Sequence, residues 1–351
     1  MEIEKKVIGS IPKCYAITPL YFNGREHVLV ASEQKERCML YDLLGNEEAV
    51  VWDAPGGVMT MLQIPGTNGE FLTTQKFYSP NESEDANITV ASPQKDGTWK
   101  LRKIIDLPFV HRFGILERGQ TKYLVACTVK SGQSHKNNDW TWPGKVYACV
   151  LPEDFSVFDD EHPLKMDVIM DNLVKNHGYY KVMWKGLESV LISCESGVYV
   201  LTPPPACGAA WEVERLIDTP ASDAVLVDLD GDGLSELAVI APFHGDQISI
   251  FRQQGEKFVK VYDYEKTAPF SHAIYGGILS GIPAVVIGHR EGERELLVFT
   301  WNKNKQDFEA RVIDRQCGSA NVYQYSYNGK DYILSANREI DEVALYKVNL
   351  Q

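Results

Sequence analysis

Short, strongly apolar runs recur along the chain: HVLVAS (27–32), YLVACT (123–128), SVLISC (189–194), ELAVIA (236–241), PAVVIG (283–288) and YILSAN (332–337), with FLTTQ (71–75) the weakest. Each is preceded by a strand-like run and a Gly- or Asn-bearing turn. Each is followed by a polar turn and a further apolar run: CMLYDL, NITVAS, KVYACV, GVYVLT, QISIFR, ELLVFT and EVALYK. Fourth runs follow as WKLRKIIDLP, AWEVERLIDTP, KFVKVYDYE and FEARVIDR. No amphipathic helix separates them, so the pattern predicts an all-β fold. Residues standing just before the first strand of a repeat fix the period: from His177 to Asp223, His272 and Asn321 the steps are 46, 49 and 49 residues. A period of this length marks a repeat architecture.

The last repeat stops after its third strand, while IEKKVIGSIPK (3–13) has the pattern of a fourth strand. An N-terminal strand that completes the final blade closes the ring. The prediction is therefore a single seven-bladed β-propeller over 1–351, with blades near 14–55, 56–108, 109–173, 174–220, 221–269, 270–317 and 318–351 plus 1–13. Closure leaves only short, protected strand edges. An open solenoid would have no reason to share one repeat between the two ends of the chain.

In this architecture the loops entering first strands and those joining second to third strands share one face. The first set brings Tyr15, Gly57, His111, His177, Asp223, His272 and Asn321 there. The second brings Glu33, Gln75, Lys76, Lys130, Glu195, His244, His289, Arg290, Asn337 and Arg338. Together with His135, six of the eight histidines are expected on one rim. Entrance loops tolerate polar residues, but this concentration predicts a functional rim. Histidine suits acid, base or metal-ligand roles near neutrality, and adjacent cations can hold a carboxylate or an enolate oxygen. Blade 3 carries two insertions, 130–144 and 154–173, the first with Trp140 and Trp142. Long loops on a rigid scaffold are commonly functional.

The net charge of −13 argues against nucleic acid and anionic membranes as partners. No apolar stretch approaches a membrane span, and MEIEKKVIGSIPK has no signal-peptide core. Seven scattered cysteines without a CxxC pair predict reduced thiols and a cytoplasmic setting. One motif points to a metal: DLDGDGLSE, with Asp228, Asp230, Asp232 and Glu236, has the alternating carboxylates of a calcium loop. It lies in a first-to-second-strand turn, on the face opposite the histidines, where any ion would be structural.

DLDGDGLSELAVIAPF resembles the FG-GAP/VCBS class of propeller repeat. PFVHRFG, APFHGDQISIF, SHAIYGG, VVIGHREGERELLVF and SANREIDEVALY are similar to motifs of the propeller of aldos-2-ulose dehydratase and related carbohydrate lyases. The likeness is best over repeats 3 to 7. It implies β-elimination next to a keto or carboxylate group of a sugar. The chain has no cupin domain, so a single elimination is the inference. That chemistry assigns His111 or His177 as base, and His244, His272 and His289 as acid or metal ligands. A catalytic divalent ion (Ca, Mn, Mg or Zn) would sit on His177, His244 and His289. Lys130 and Arg338, with His135, Asn337 and Trp140, would bind substrate. No organic cofactor is expected, and the partner is a small carbohydrate. Two other readings compete. A glycoside hydrolase needs paired carboxyls, for which Glu33, Glu195 and Asp223 are the candidates. A non-catalytic binding propeller predicts dispersed histidines.

Overall fold

The apolar second strands become continuous buried ribbons. Residues Val28–Ser32, Tyr123–Lys130, Ser189–Cys194, Glu236–Ala241, Ala284–His289 and Tyr332–Asn337 are buried without interruption. Sheets packed on both faces demand this, because neither side chain direction meets water. The fourth strands, at the outer edge, alternate or are largely exposed, as in Lys257–Asp263. The computed structural model describes residues 1–135 and 138–351 and places these strands in seven four-stranded antiparallel sheets, a seven-bladed propeller.

The ring closes as the sequence predicts. Glu2–Ser10 pairs antiparallel with Glu342–Asn349, from Glu2 opposite Asn349 to Ser10 opposite Glu342. Met1 and Gln351 meet there. In every blade the pairing of third with fourth strand slips near the start of the third strand, at Cys38/Met39, Ile88/Thr89, Val146/Tyr147, Val198/Tyr199, Ile250/Phe251, Leu296/Leu297 and Val7/Gly9, and in blades 1 and 3 a second slip lies close by. A bulge there adds twist, and its repetition gives every blade the same outward turn. Within blade 3 the expected insertion 154–173 is half structured: Phe155–Val157 forms a 3-10 turn and Asp167–Leu173 is the missing fourth strand. Positions 136 and 137 of the 130–144 insertion lie outside the described residues. All seven cysteines are free, five of them buried. No helix among the described residues is long and apolar enough to cross a membrane.

Candidate functional site at the mouth of the axis

The inner strands carry a second, selective set of bulges. In blade 1 the ladder goes from Cys14–Ser32 to Ala16–Ala31, leaving Tyr15 unpaired. In blade 3 it goes from Val110–Thr128 to Arg112–Cys127, leaving His111 unpaired. In blade 6 it goes from Ser271–His289 to Ala273–Gly288, leaving His272 unpaired. A bulged residue leaves the ladder and its side chain is re-aimed. Here all three turn to the axis and meet: the Tyr15 hydroxyl is 3.4 Å from His111 Nε2 and 3.3 Å from His272 Nε2.

A fourth ring arrives on the same backbone turn. Lys13, Phe109, Lys175 and Phe270 adopt left-handed backbone (φ 51, 64, 53 and 55°), each two residues before Tyr15, His111, His177 and His272 respectively. His177 then sits 4.6 Å from His111 and 4.9 Å from His272, centroid to centroid. Gly178, immediately after it, lets the chain pass close: a Cβ there would lie 2.6 Å from Ser193 Cβ and 2.8 Å from Ser222 O. That approach allows His177 Nδ1 to donate to the Ser222 carbonyl at 3.1 Å. Ser222 Oγ accepts the amide of His244 at 3.2 Å, which brings the loop after the second strand of blade 5 over the cluster. His244 lies 4.9 Å from His177 and 5.2 Å from His272.

The expected rim is thus a sealed mouth. His111, His177 and His272 are only 3, 2 and 3% exposed. Above them His244 is sandwiched between Phe243 (3.9 Å) and Phe270 (4.4 Å), and the Arg290 guanidinium lies 4.4 Å over the Phe270 ring. Trp140 meets Phe243 edge-on at 5.1 Å. A cleft of about 310 Å³, lined by Phe270, Arg290, Glu291, Gly292, Arg294 and Glu339, opens beside this stack. Larger clefts exist, of about 560 Å³ by Phe22 and Trp99 and about 470 Å³ by Ile3 and Lys347, but no histidine lines either.

Burial pushes all four imidazoles below their ordinary range, His177 to about 3. Nearby Arg112 and Arg290, and neighbouring imidazoles, act in the same direction. The cluster is therefore neutral. Burial raises the Tyr15 phenol to about 12, so it holds its proton. Arg112 Nη2 donates to that hydroxyl at 3.3 Å and Nη1 to Met59 O at 3.2 Å, with no carboxylate within salt-bridge distance among the described residues. Asp223, at the inner-strand entry of blade 5, is buried, and burial raises its carboxyl to about 7 against the opposing Arg112 charge and the Ala224 amide.

Several predicted site residues lie elsewhere or have their polar atoms committed. His289 is locked into its own hairpin: Nδ1 donates to Glu291 O at 2.8 Å, and Nε2 accepts from the Glu295 amide at 2.9 Å. With both nitrogens used it cannot join a metal set, and His272 takes its place. Lys130 is fully buried. Its ammonium donates to Gln133 Oε1 (2.8 Å), Asp139 O (3.3 Å) and Asn81 Oδ1 (3.4 Å), so it props the blade 3 loop from beneath. Asn337 is equally spent, on Ser335, Glu342 and Tyr346. Arg338 is held by Glu33 and Glu339 across the junction of blades 7 and 1. His135 is exposed beside Asp139, 3.6 Å away. Trp140 packs in the loop, its indole N–H on Asn138 Oδ1 at 2.7 Å. Arg112, Phe243 and Phe270 were not singled out from sequence, and Tyr15, placed on the rim at the strand-entry position of the histidines, was given no role there.

On the opposite face, Asp228, Asp230 and Glu236 bring oxygens within 4.8 Å of one another. Asp232 is exposed and outside that group. Asp228 accepts the amides of Gly231 (2.9 Å) and Gly233 (3.1 Å), as a calcium-type turn would. The cation in this loop, however, is Arg252, bonded to Glu236 Oε1 at 3.1 Å and to Asp230. Its guanidinium also lies 5.3 Å over the Trp301 ring of blade 6. One guanidinium thus engages two of the three carboxylates, and a calcium ion would have to compete with Arg252 for Asp230 and Glu236.

A family model for the FG-GAP repeat matches residues 220–255, the stretch holding this loop. No curated protein matches the chain. The match covers one blade and agrees with a propeller repeat.

Proposed function

We propose that the protein is a carbon–oxygen lyase acting on a carbohydrate by β-elimination at the axial mouth. The observation that carries this reading is the Tyr15 hydroxyl, set between two neutral imidazoles and receiving a hydrogen bond from Arg112. Elimination needs a base for the proton α to a carbonyl or carboxylate, a stabiliser for the enolate, and an acid for the departing oxygen. A neutral His111, or His177 where no ion occupies its Nε2, takes the carbon-bound proton; the electron pair forms the C=C bond, the C–O bond breaks, and Tyr15 protonates the leaving oxygen. Arg112 and Arg290 supply positive charge to the oxygen of the enolate. A divalent ion on the imidazoles is part of this reading and would polarise the same carbonyl or carboxylate. Substrate enters from the Phe270–Arg290 cleft. The likeness of the strand-entry motifs to the aldos-2-ulose dehydratase propeller supports the same chemistry.

Other readings draw less support. Glu33 is held by Arg338 and Glu195 by Lys175, so Asp223 stands without the second carboxyl that hydrolysis needs. A plain binding propeller predicts dispersed histidines, whereas four rings lie within 4.6–5.2 Å of a neighbour.

The test is incubation with keto-sugars and uronosides, with and without added Mn²⁺, Zn²⁺ or Ca²⁺, following absorbance of the conjugated enone or unsaturated uronate. Tyr15→Phe and His111→Ala should each lower turnover by about 10²-fold or more. No absorbance across the panel refutes the lyase reading.

A further inference from the structure

We infer that His177, His244 and His272 form a binding site for one transition-metal ion of zinc-like preference, and that this site does not take calcium or magnesium. The inference stands on side-chain geometry and does not depend on the lyase reading.

The hydrogen bonds fix the tautomers. His177 Nδ1 is 3.1 Å from Ser222 O and His272 Nδ1 is 2.9 Å from Ala320 O. A carbonyl only accepts, so each Nδ1 carries hydrogen, and in a neutral ring each Nε2 then presents a bare lone pair. A ligating histidine usually has its other nitrogen donating to a backbone carbonyl or carboxylate in this way. The Nε2 atoms of His177 and His244 are buried and have no partner among the described residues. An unsatisfied buried acceptor costs about 1–3 kcal/mol, and one shared ion relieves both. One donor atom from each of the three residues lies within 4.8 Å of the other two. Zinc–imidazole bonds of ~2.0–2.1 Å require each nitrogen to move inward by about 1 Å at most. The His272 Nε2 lone pair is shared with the Tyr15 hydroxyl, which has His111 Nε2 at 3.4 Å as its alternative acceptor.

The donor set decides the class of ion. Three neutral imidazoles and no carboxylate suit zinc, cobalt, nickel or copper, while calcium and magnesium demand oxygen. Of the nearby cations, Arg290 is paired with Glu339 at 2.7 Å and Lys175 with Glu195 at 3.2 Å, which leaves Arg112, turned to Tyr15 Oη and Met59 O, as the one charge the ion must tolerate.

The experiment loads the metal-free, full-length chain with Co²⁺ and follows its visible ligand-field bands, then displaces the cobalt with Zn²⁺ while counting bound metal. One ion per chain is expected, insensitive to excess Ca²⁺ or Mg²⁺. Losing a partner outside the ligand shell already costs roughly 10–100-fold in affinity; His244→Ala and His272→Gln, which remove ligands, should cost at least about 100-fold. His244 lies on a surface loop, so its variant tests the site without cutting into an inner strand. His135→Ala and Asp230→Asn should leave binding intact. Substoichiometric cobalt, unchanged affinity in both ligand variants, or displacement by Ca²⁺ or Mg²⁺ would overturn the inference. Because the readout uses no substrate, a failed elimination assay leaves it standing, and the reverse also holds.

Discussion

Replacing Asp223 by asparagine should stabilise the protein progressively as pH rises from about 4 to about 7. The carboxyl is buried at the inner-strand entry of blade 5, and burial raises it from 3.8 to about 7; Arg112 and the Ala224 amide favour the charged form but do not prevail. Between these values the folded protein keeps a proton that the unfolded chain has released, so wild-type stability falls as pH rises through the window. The loss is complete above about pH 7. A shift of about three units at ~1.4 kcal/mol each sets an upper bound of about 4 kcal/mol. Asparagine preserves the oxygen that accepts the Ala224 amide at 3.0 Å and adds no charge. All other groups titrate alike in the two proteins and cancel in the difference. Urea or thermal unfolding of both, from pH 4 to 8, reads that difference directly. A flat difference would refute the argument. So would a variant that loses stability relative to wild type with rising pH, because that would mean an ionised carboxylate held by Arg112.

The imidazole cluster predicts the opposite slope at acid pH. His177 falls from 6.5 to about 3 through burial, so the unfolded chain gains a proton that the folded chain refuses, and stability drains away as pH falls through that window; His177→Gln should remove about one proton from the acid slope of unfolding, and an unchanged slope would refute it. On the other face, Arg252 serves as the cation of the acidic loop. Wild-type melting should therefore ignore calcium and chelators, while Arg252→Gln should melt lower and regain part of the loss in calcium. A saturable calcium shift in the wild type would show that the guanidinium does not fill the site.

The fold was legible because its strongest determinant is periodic. Second strands are covered on both faces, so they read as unbroken apolar runs, and the last repeat visibly lacks the strand that Glu2–Ser10 provides. The face carrying the histidines followed from connectivity alone. Individual roles did not, because position along a strand end does not say where a side chain points. A shift of one residue reverses its face. Lys130, His289 and Asn337 occupy equivalent rim positions by count, yet each is consumed by neighbours in its own blade or loop. Tyr15 was obscured for a different reason. It is an aromatic residue where a histidine was the recurring signal, and although it aligns with His111 and His272, only the bulge reveals that its hydroxyl is delivered between them.

Those bulges explain why the chemistry gathers on the axis. Blades 1, 3 and 6 divide a seven-membered ring into gaps of two, three and two blades, so side chains released from their ladders approach the centre from well-spaced directions. Blades 5 and 7 begin in register, with Asp223 opposite Ile240 and Asn321 opposite Ala336. In both, the side-chain oxygen turns back onto the next amide at 3.0 Å. The same sequence position thus delivers a ring to the axis where a left-handed residue stands two before it, with a slipped ladder in blades 1, 3 and 6 and an unslipped one in blade 4, or a cap to its own strand where none does. The turn has a cost: non-glycine residues in left-handed backbone are strained by about 1–3 kcal/mol each, and Phe270, with its bulky side chain, is an unusual occupant of that region. Its ring recovers part of that cost by stacking on His244 while Arg290 covers its other face. Strain and stacking therefore coincide at one residue, Phe270, which also lines the Arg290 cleft.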